Sequence, residues 1–107
     1  MKRNSTLEKM KKEILQCLAE AAISVKSILL FGSRARKDHN DQSDYDFLII
    51  TENTFEFREK MAIAKKIRTR LSIYAIDVLI KSEEEVKRFR TVPGNVVGTA
   101  IREGIRL

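Results

Sequence analysis

The sequence predicts an α/β (α+β) domain in which a small mixed β-sheet of about three strands carries helices packed mainly on one face. Three observations point there. Short apolar runs at 25–31, 44–51 and 73–80 have the length of strands and end in turn-forming residues. Stretches with apolar residues at helical spacing lie between and around them. At 107 residues, 43% of them hydrophobic, the chain has material for one core, so 1–107 reads as a single domain.

Ser5-Thr6-Leu7-Glu8 has the form of a capping box, and Leu7, Met10, Ile14, Cys17, Leu18 and Ala21 follow as the apolar stripe of a helix reaching about residue 22. The run 25–31 is short and closed by Gly32, so length and punctuation make it a strand more than propensity does. Residues 33–36 favour a helical turn, 37–43 a polar loop, and 44–51 the second strand. Asn53-Thr54-Phe55-Glu56 offers another cap, before a helix whose stripe is Phe57, Met61, Ala64, Ile67 and Leu71. The strand 73–80 has one charge, Asp77, in its middle. Ser82-Glu83-Glu84-Glu85 caps a short helix carrying Val86 and Phe89. Pro93 restarts a helix that Gly104 closes, and Ile105-Arg106-Leu107 is an edge strand or a tail.

The balance of 21 Lys and Arg against 15 Asp and Glu gives +6 and a pI near 9.7, which suits a polyanionic partner: a nucleotide, a nucleic acid or an acidic protein face. The basic face 58–68 has no interleaved aromatic residue, which argues for a solvated surface over direct nucleic-acid binding. A lone cysteine, Cys17, has no internal disulfide partner and falls in a helical stripe. A reduced, packed thiol and a cytoplasmic setting are expected. No signal peptide and no membrane span are expected.

The chemistry concentrates at 32–46. Asp44 and Asp46, two apart at the head of a strand, share a face, while Tyr45 and Phe47 point to the other side. Two carboxylates so placed repel each other unless a hard divalent cation such as Mg²⁺ lies between them. Asp77 stands between Ile76 and Val78 in a run that reads as buried strand, where an unpaired charge costs several kcal/mol, so it needs a compensating partner. A parallel crossover between the second and third strands would supply one by bringing Asp77 beside Asp44 and Asp46. Gly32 permits a sharp turn and close backbone approach, and the N–H groups of Ser33 and Arg34 face an anion such as phosphate. Antiparallel pairing of the first two strands would set Gly32-Ser33 beside Asp44.

Gly32-Ser33-Arg34-Ala35-Arg36 followed by Ser43-Asp44-Tyr45-Asp46-Phe47-Leu48-Ile49, with a later acid on an apolar strand, resembles the polymerase β-like nucleotidyltransferase superfamily. More narrowly it is similar to the minimal nucleotidyltransferases, antitoxin partners of HEPN-domain toxins. The resemblance spans nearly the whole chain. It implies that Gly32 and Ser33 bind nucleotide phosphates, with help from one of Arg34 and Arg36, which point to different sides of a turn. It implies that Asp44 and Asp46 hold two Mg²⁺ ions, and that Asp77 completes the ion that activates the acceptor, acting also as its base. The transferred group would be AMP from ATP and the acceptor a tyrosine of the HEPN toxin, in a hetero-oligomer. Lys37 departs from the pattern, because many members have glycine there.

Two other readings stand beside this one. A binding module would silence its partner by covering it, the acids merely holding an ion. A nucleotidyltransferase acting on a small molecule or an RNA would keep the chemistry and change the acceptor, but enzymes of that kind usually carry an added domain for it. The segment 93–107, with Val96, Val97, Ile101 and Ile105, is either a docking surface or a helix packed on the core. His39 has no second histidine or cysteine nearby as a zinc partner. Tyr45 and Tyr74 read as core or edge aromatics.

Overall fold

The computed structural model describes residues 5–38, 40 and 42–107. The expectation for His39 lies outside the described residues. In chain order the elements are α1 (Ser5–Glu20), β1 (Val25–Phe31), α2 (Ser33–Arg36), β2 (Tyr45–Thr51), α3 (Phe57–Arg70), β3 (Ile76–Ser82), α4 (Glu83–Phe89), α5 (Val96–Glu103) and β4 (Ile105–Arg106). The strands form a four-stranded sheet in the order β3-β2-β1-β4. β1 runs antiparallel to β2 and β4, and β2 runs parallel to β3 through the α3 crossover. The sheet therefore has one strand more than the three expected: Ile105 and Arg106 pair with Leu30 and Leu29.

The larger core lies on one face. Met10, Ile14, Cys17 and Leu18 of α1 and Ile63, Ala64 and Ile67 of α3 close over Ile28, Leu30, Phe47, Ile49 and Ile80. Period-two alternation sends the intervening strand residues, Leu29, Leu48, Ile50 and Leu79, to the other face, where Val86 of α4 and Val97 and Ala100 of α5 cover them. Helices thus stand on both faces, the second layer being the smaller. β2 runs through the middle with Phe47, Leu48 and Ile49 fully buried, and burying a side chain such as Phe47 is worth about 3 kcal/mol. Cys17 is a free, buried thiol. No helix among the described residues is long and apolar enough to cross a membrane.

Several boundaries differ from expectation for local reasons. α1 stops at Glu20, because Ala22 takes a left-handed φ of 57° and Ala21 is exposed. α3 starts at Phe57 with Glu56 as a cap that makes no side-chain bond, so the expected Asn53 capping pattern is not used. Phe57 and Met61 are 76% and 49% exposed, and the buried stripe runs instead through Ile63, Ala64, Ile67 and Leu71. Pro93 lies in a turn rather than a helix. α5 begins at Val96, capped by the Asn95 side chain accepting from the Val97 N–H at 2.9 Å. α5 packs Val97 and Ala100 into the core, while Val96 of α5 and Ile105 of β4 stay exposed, so the segment 93–107 is part packed helix and part open surface. The capping box at Ser82 is formed as expected, with both reciprocal bonds present.

Candidate active site

Strand register builds the site. Phe31 of β1 pairs with Asp46 of β2, and Asp46 pairs with Asp77 of β3, so the three residues form one row across the sheet. Alternation puts that row on the face covered further along by α4 and α5. Asp44 immediately precedes β2, two residues from Asp46, and the Tyr45 N–H donates to the Ala75 carbonyl at 2.9 Å, latching the head of β2 to the approach of β3. The row opens on a cleft of about 350 Å³ lined by Phe31, Asp46, Asp77, Leu79 and Val96 among others.

Asp77 is brought to Asp46 as expected, but the reason given for it is not. It is exposed, and β3 is an edge strand of the described sheet, so solvent rather than a buried counter-charge surrounds the group. Asp46 is the strained member of the set. Partial burial raises its pKa above the usual carboxylate value, and the nearby charges of Asp77 and then Asp44 raise it further, with Arg36 opposing them. Three hard oxygen donors that repel one another around a partly desolvated centre suit a divalent cation such as Mg²⁺. Among the described residues, no group of three or more acid, histidine or cysteine side chains stands arranged to hold a metal ion, Asp44, Asp46 and Asp77 included.

Gly32 sits against the same carboxylate. Its φ of 74° and ψ of −158° lie in a region that residues with a side chain avoid, and a Cβ built there would collide with Asp46 Oδ2. The corner thus meets Asp46 rather than Asp44, since the side chain two residues on in the strand is the one that faces it. α2 starts directly after: the Gly32 carbonyl accepts from the N–H groups of Ala35 and Arg36, both at 3.1 Å. The turn closes with Lys37 in the left-handed conformation, φ 65° and ψ 26°, its N–H donating to the Ser33 carbonyl. Lysine therefore occupies the shape that glycine takes easily, and the loop keeps that shape.

The two arginines separate. Arg34 Nε donates to the Ser43 carbonyl at 3.1 Å and the guanidinium lies 3.9 Å from the Tyr45 ring centre, tying α2 to the head of β2. These contacts clamp the Arg34 side chain between the two elements. Arg36 holds Asp38 at 3.0 Å and Glu103 at 3.4 Å, is half exposed, and acts electrostatically on Asp46. Tyr45 stacks with Phe47 and meets Tyr74 edge-on, which makes both tyrosines packing residues. Phe31 was not singled out from sequence, and Val96 was named only within the segment 93–107, not as part of this cleft. Phe31 was legible in the strand pairing, whereas Val96 reaches the cleft only through the packing of α5.

The chain is 33% identical over 60 residues to a Methanocaldococcus jannaschii protein named "Putative protein adenylyltransferase MJ0604", a match covering 56% of this chain and 57% of that protein. The chain thus spans 57% of the length of the curated relative it matches. Among solved structures, the fold matches a toxin-antitoxin crystallised with AMP-PNP, with TM-score 0.61 and 18% identity over 89% of this chain and 69% of that one. It also matches a complex of the tri-AMPylated Shewanella oneidensis HEPN toxin with its MNT antitoxin, with TM-score 0.60 and 16% identity over 92% and 69%. At such identities these structures speak to the fold. The family model described as polymerase beta, nucleotidyltransferase, matches residues 12–107, and the chain belongs to that family.

Proposed function

We propose that the protein is a Mg²⁺-dependent nucleotidyltransferase that moves AMP from ATP to a hydroxyl on a partner protein, a tyrosine of a HEPN-type toxin, and so acts as its antitoxin. The single observation carrying this reading is the row in which Asp46 and Asp77 pair across β2 and β3, with Asp44 two residues away and Gly32 packed against Asp46. The relative named as a protein adenylyltransferase supports the reaction class, and the toxin-antitoxin likenesses support the partner.

Each residue has a task in the transfer. Gly32, having no side chain, lets the triphosphate come close to Asp46, and Ser33 at the start of α2 directs its N–H and hydroxyl to phosphate oxygen. Arg36, beside the acids, balances negative charge as the nucleotide enters. Asp44, Asp46 and Asp77 would hold the cations, which would supply charge neutralisation at the crowded carboxylates and at the oxygens of the displacement. Asp77, at the open edge of the row, takes the proton of the acceptor hydroxyl. That oxygen bonds to the α-phosphorus, the bond to the bridging oxygen breaks, and pyrophosphate leaves.

The test is intact-mass measurement of a co-expressed HEPN-type partner after incubation with ATP and Mg²⁺. One or more adenylyl additions are expected with the natural chain and none with Asp44→Asn or Asp77→Asn. Equal labelling by those variants refutes the assigned site. Full neutralisation of the partner by an Asp44→Asn/Asp46→Asn variant supports the binding-module reading instead.

A further inference from the structure

Among the described residues, β3 is a sheet edge, with β2 on one side and no strand on the other. Its seven residues contain no proline, and its pairing with β2 runs in register from Tyr45↔Ile76 to Thr51↔Ser82 without a bulge, so none of these devices blunts the open edge. Beside it lies a cavity of about 320 Å³ lined by Val78, Ile80, Lys81, Phe57 and Met61 among others. Phe57 and Met61, one turn apart on α3, are the two apolar side chains that the helix leaves in solvent there, 76% and 49% exposed. An unpaired strand edge and an unsatisfied apolar rim adjoin on one side of the molecule.

We propose that this edge pairs antiparallel with β3 of a second copy of the chain, about a twofold axis at Leu79, joining two sheets into one. The charge pattern makes the edge self-complementary in this register, which points to a second copy as the occupant. A twofold axis normal to the sheet keeps the same face on the same side, so residues opposite each other share a face. With Leu79 at the axis, Asp77 of each copy stands opposite Lys81 of the other, and Val78 stands opposite Ile80. An axis at Asp77 or at Lys81 would instead oppose two like charges. Directly opposed side chains in such a pair lie about 5 Å apart at Cβ, within reach of an ion pair. Asp77 is exposed and Lys81 is partly exposed against the Phe89 ring, so both are available on the α4 face. Val78 and Ile80 point to the α3 face, where Phe57 and Met61 of each copy would flank the new strand pair. The pairing engages Asp77, the outer acid of the row, with a lysine of the second copy, so it competes with the role proposed for Asp77 in nucleotidyl transfer.

Sedimentation velocity of the purified chain from low to high micromolar concentration tests this. A monomer–dimer equilibrium is expected, together with amide exchange in β3 that slows as concentration rises. Phe57→Asp/Met61→Asp and, separately, Lys81→Asp are each expected to weaken association at least about tenfold, since each sets charge or repulsion into a symmetric pair twice. The charge swap Asp77→Lys/Lys81→Asp is expected to restore it. The two α3 residues are exposed, so their variants keep the fold, and circular dichroism checks it. A chain that stays monomeric at high micromolar concentration overturns the proposal. So does a dimer indifferent to Lys81→Asp, or one the charge swap fails to recover.

Discussion

Replacing Gly32 by alanine tests how closely the glycine corner is fitted to the acid row. The φ of 74° with extended ψ costs a residue bearing a Cβ about 1–3 kcal/mol. The new methyl also collides with the Asp46 carboxylate, which must leave its rotamer at a further ~1 kcal/mol. Alanine returns ~0.4–1 kcal/mol by restricting the unfolded chain. The net loss is roughly 2 kcal/mol. With a urea m-value of ~1–1.5 kcal/mol per molar for a domain of this size, the unfolding midpoint should fall by about 1.5 M at unchanged slope. Because the displaced group is Asp46, nucleotide affinity should fall with stability. A midpoint within ~0.3 M of the natural chain would refute the reasoning, since it would mean that the corner relaxes without strain.

Three further outcomes follow from the electrostatics and the turn. Asp46 titrates above the usual carboxylate value when folded, through burial first and Asp77 and Asp44 next, so the folded chain keeps a proton that the unfolded chain has lost. Stability from this group is therefore present below the unfolded pKa and is lost as pH rises through the folded one. Asp46→Asn should thus be more stable than the natural chain at neutral pH and lose that advantage in acid, as urea midpoints at several pH values would reveal. Lys60 and Glu85 form a mostly buried pair across α3 and α4, 2.7 Å apart at Oε2. Burial pushes the Glu85 pKa up, but the Lys60 bond and the Ser82 N–H outweigh it and hold it low. Lys60→Met should therefore cost ~2 kcal/mol at neutral pH, and less as pH falls through the depressed folded pKa of Glu85. Lys37→Gly should leave the fold intact and shift thermal stability by no more than ~1 kcal/mol in either direction, relief of the left-handed φ offsetting added chain entropy.

The sequence made the site more legible than its surroundings. Gly32, Asp44, Asp46 and Asp77 announce themselves because each is a residue type that strand ends or apolar strands do not need for packing, and period-two alternation with a parallel crossover is enough to bring the acids together. Asp77 was placed correctly from a mistaken premise: the run 73–80 reads as buried, but an edge strand is covered less than its hydropathy suggests, and strand order is a tertiary property. Arg34 illustrates the opposite limit. Its spacing from Gly32 fits a phosphate contact, yet the Ser43 carbonyl and the Tyr45 ring compete for the guanidinium, and both come from the far end of a loop whose closure no local pattern reveals. Phe57 and Met61 fit a helical stripe and still face water, because they border the open edge of β3, and strand order is not a local property. β4 was readable only as an edge strand or a tail, since two residues carry no periodicity.

Isothermal titration of ATP into the natural chain and into Asp44→Asn, Asp46→Asn and Asp77→Asn, with and without Mg²⁺, tests most directly whether the acid row and the glycine corner form one site. The account predicts one-to-one binding that strengthens at least tenfold with Mg²⁺ in the natural chain, and a metal gain reduced or lost in each variant. Binding equally tight without Mg²⁺, or a metal gain that survives all three substitutions, would contradict it.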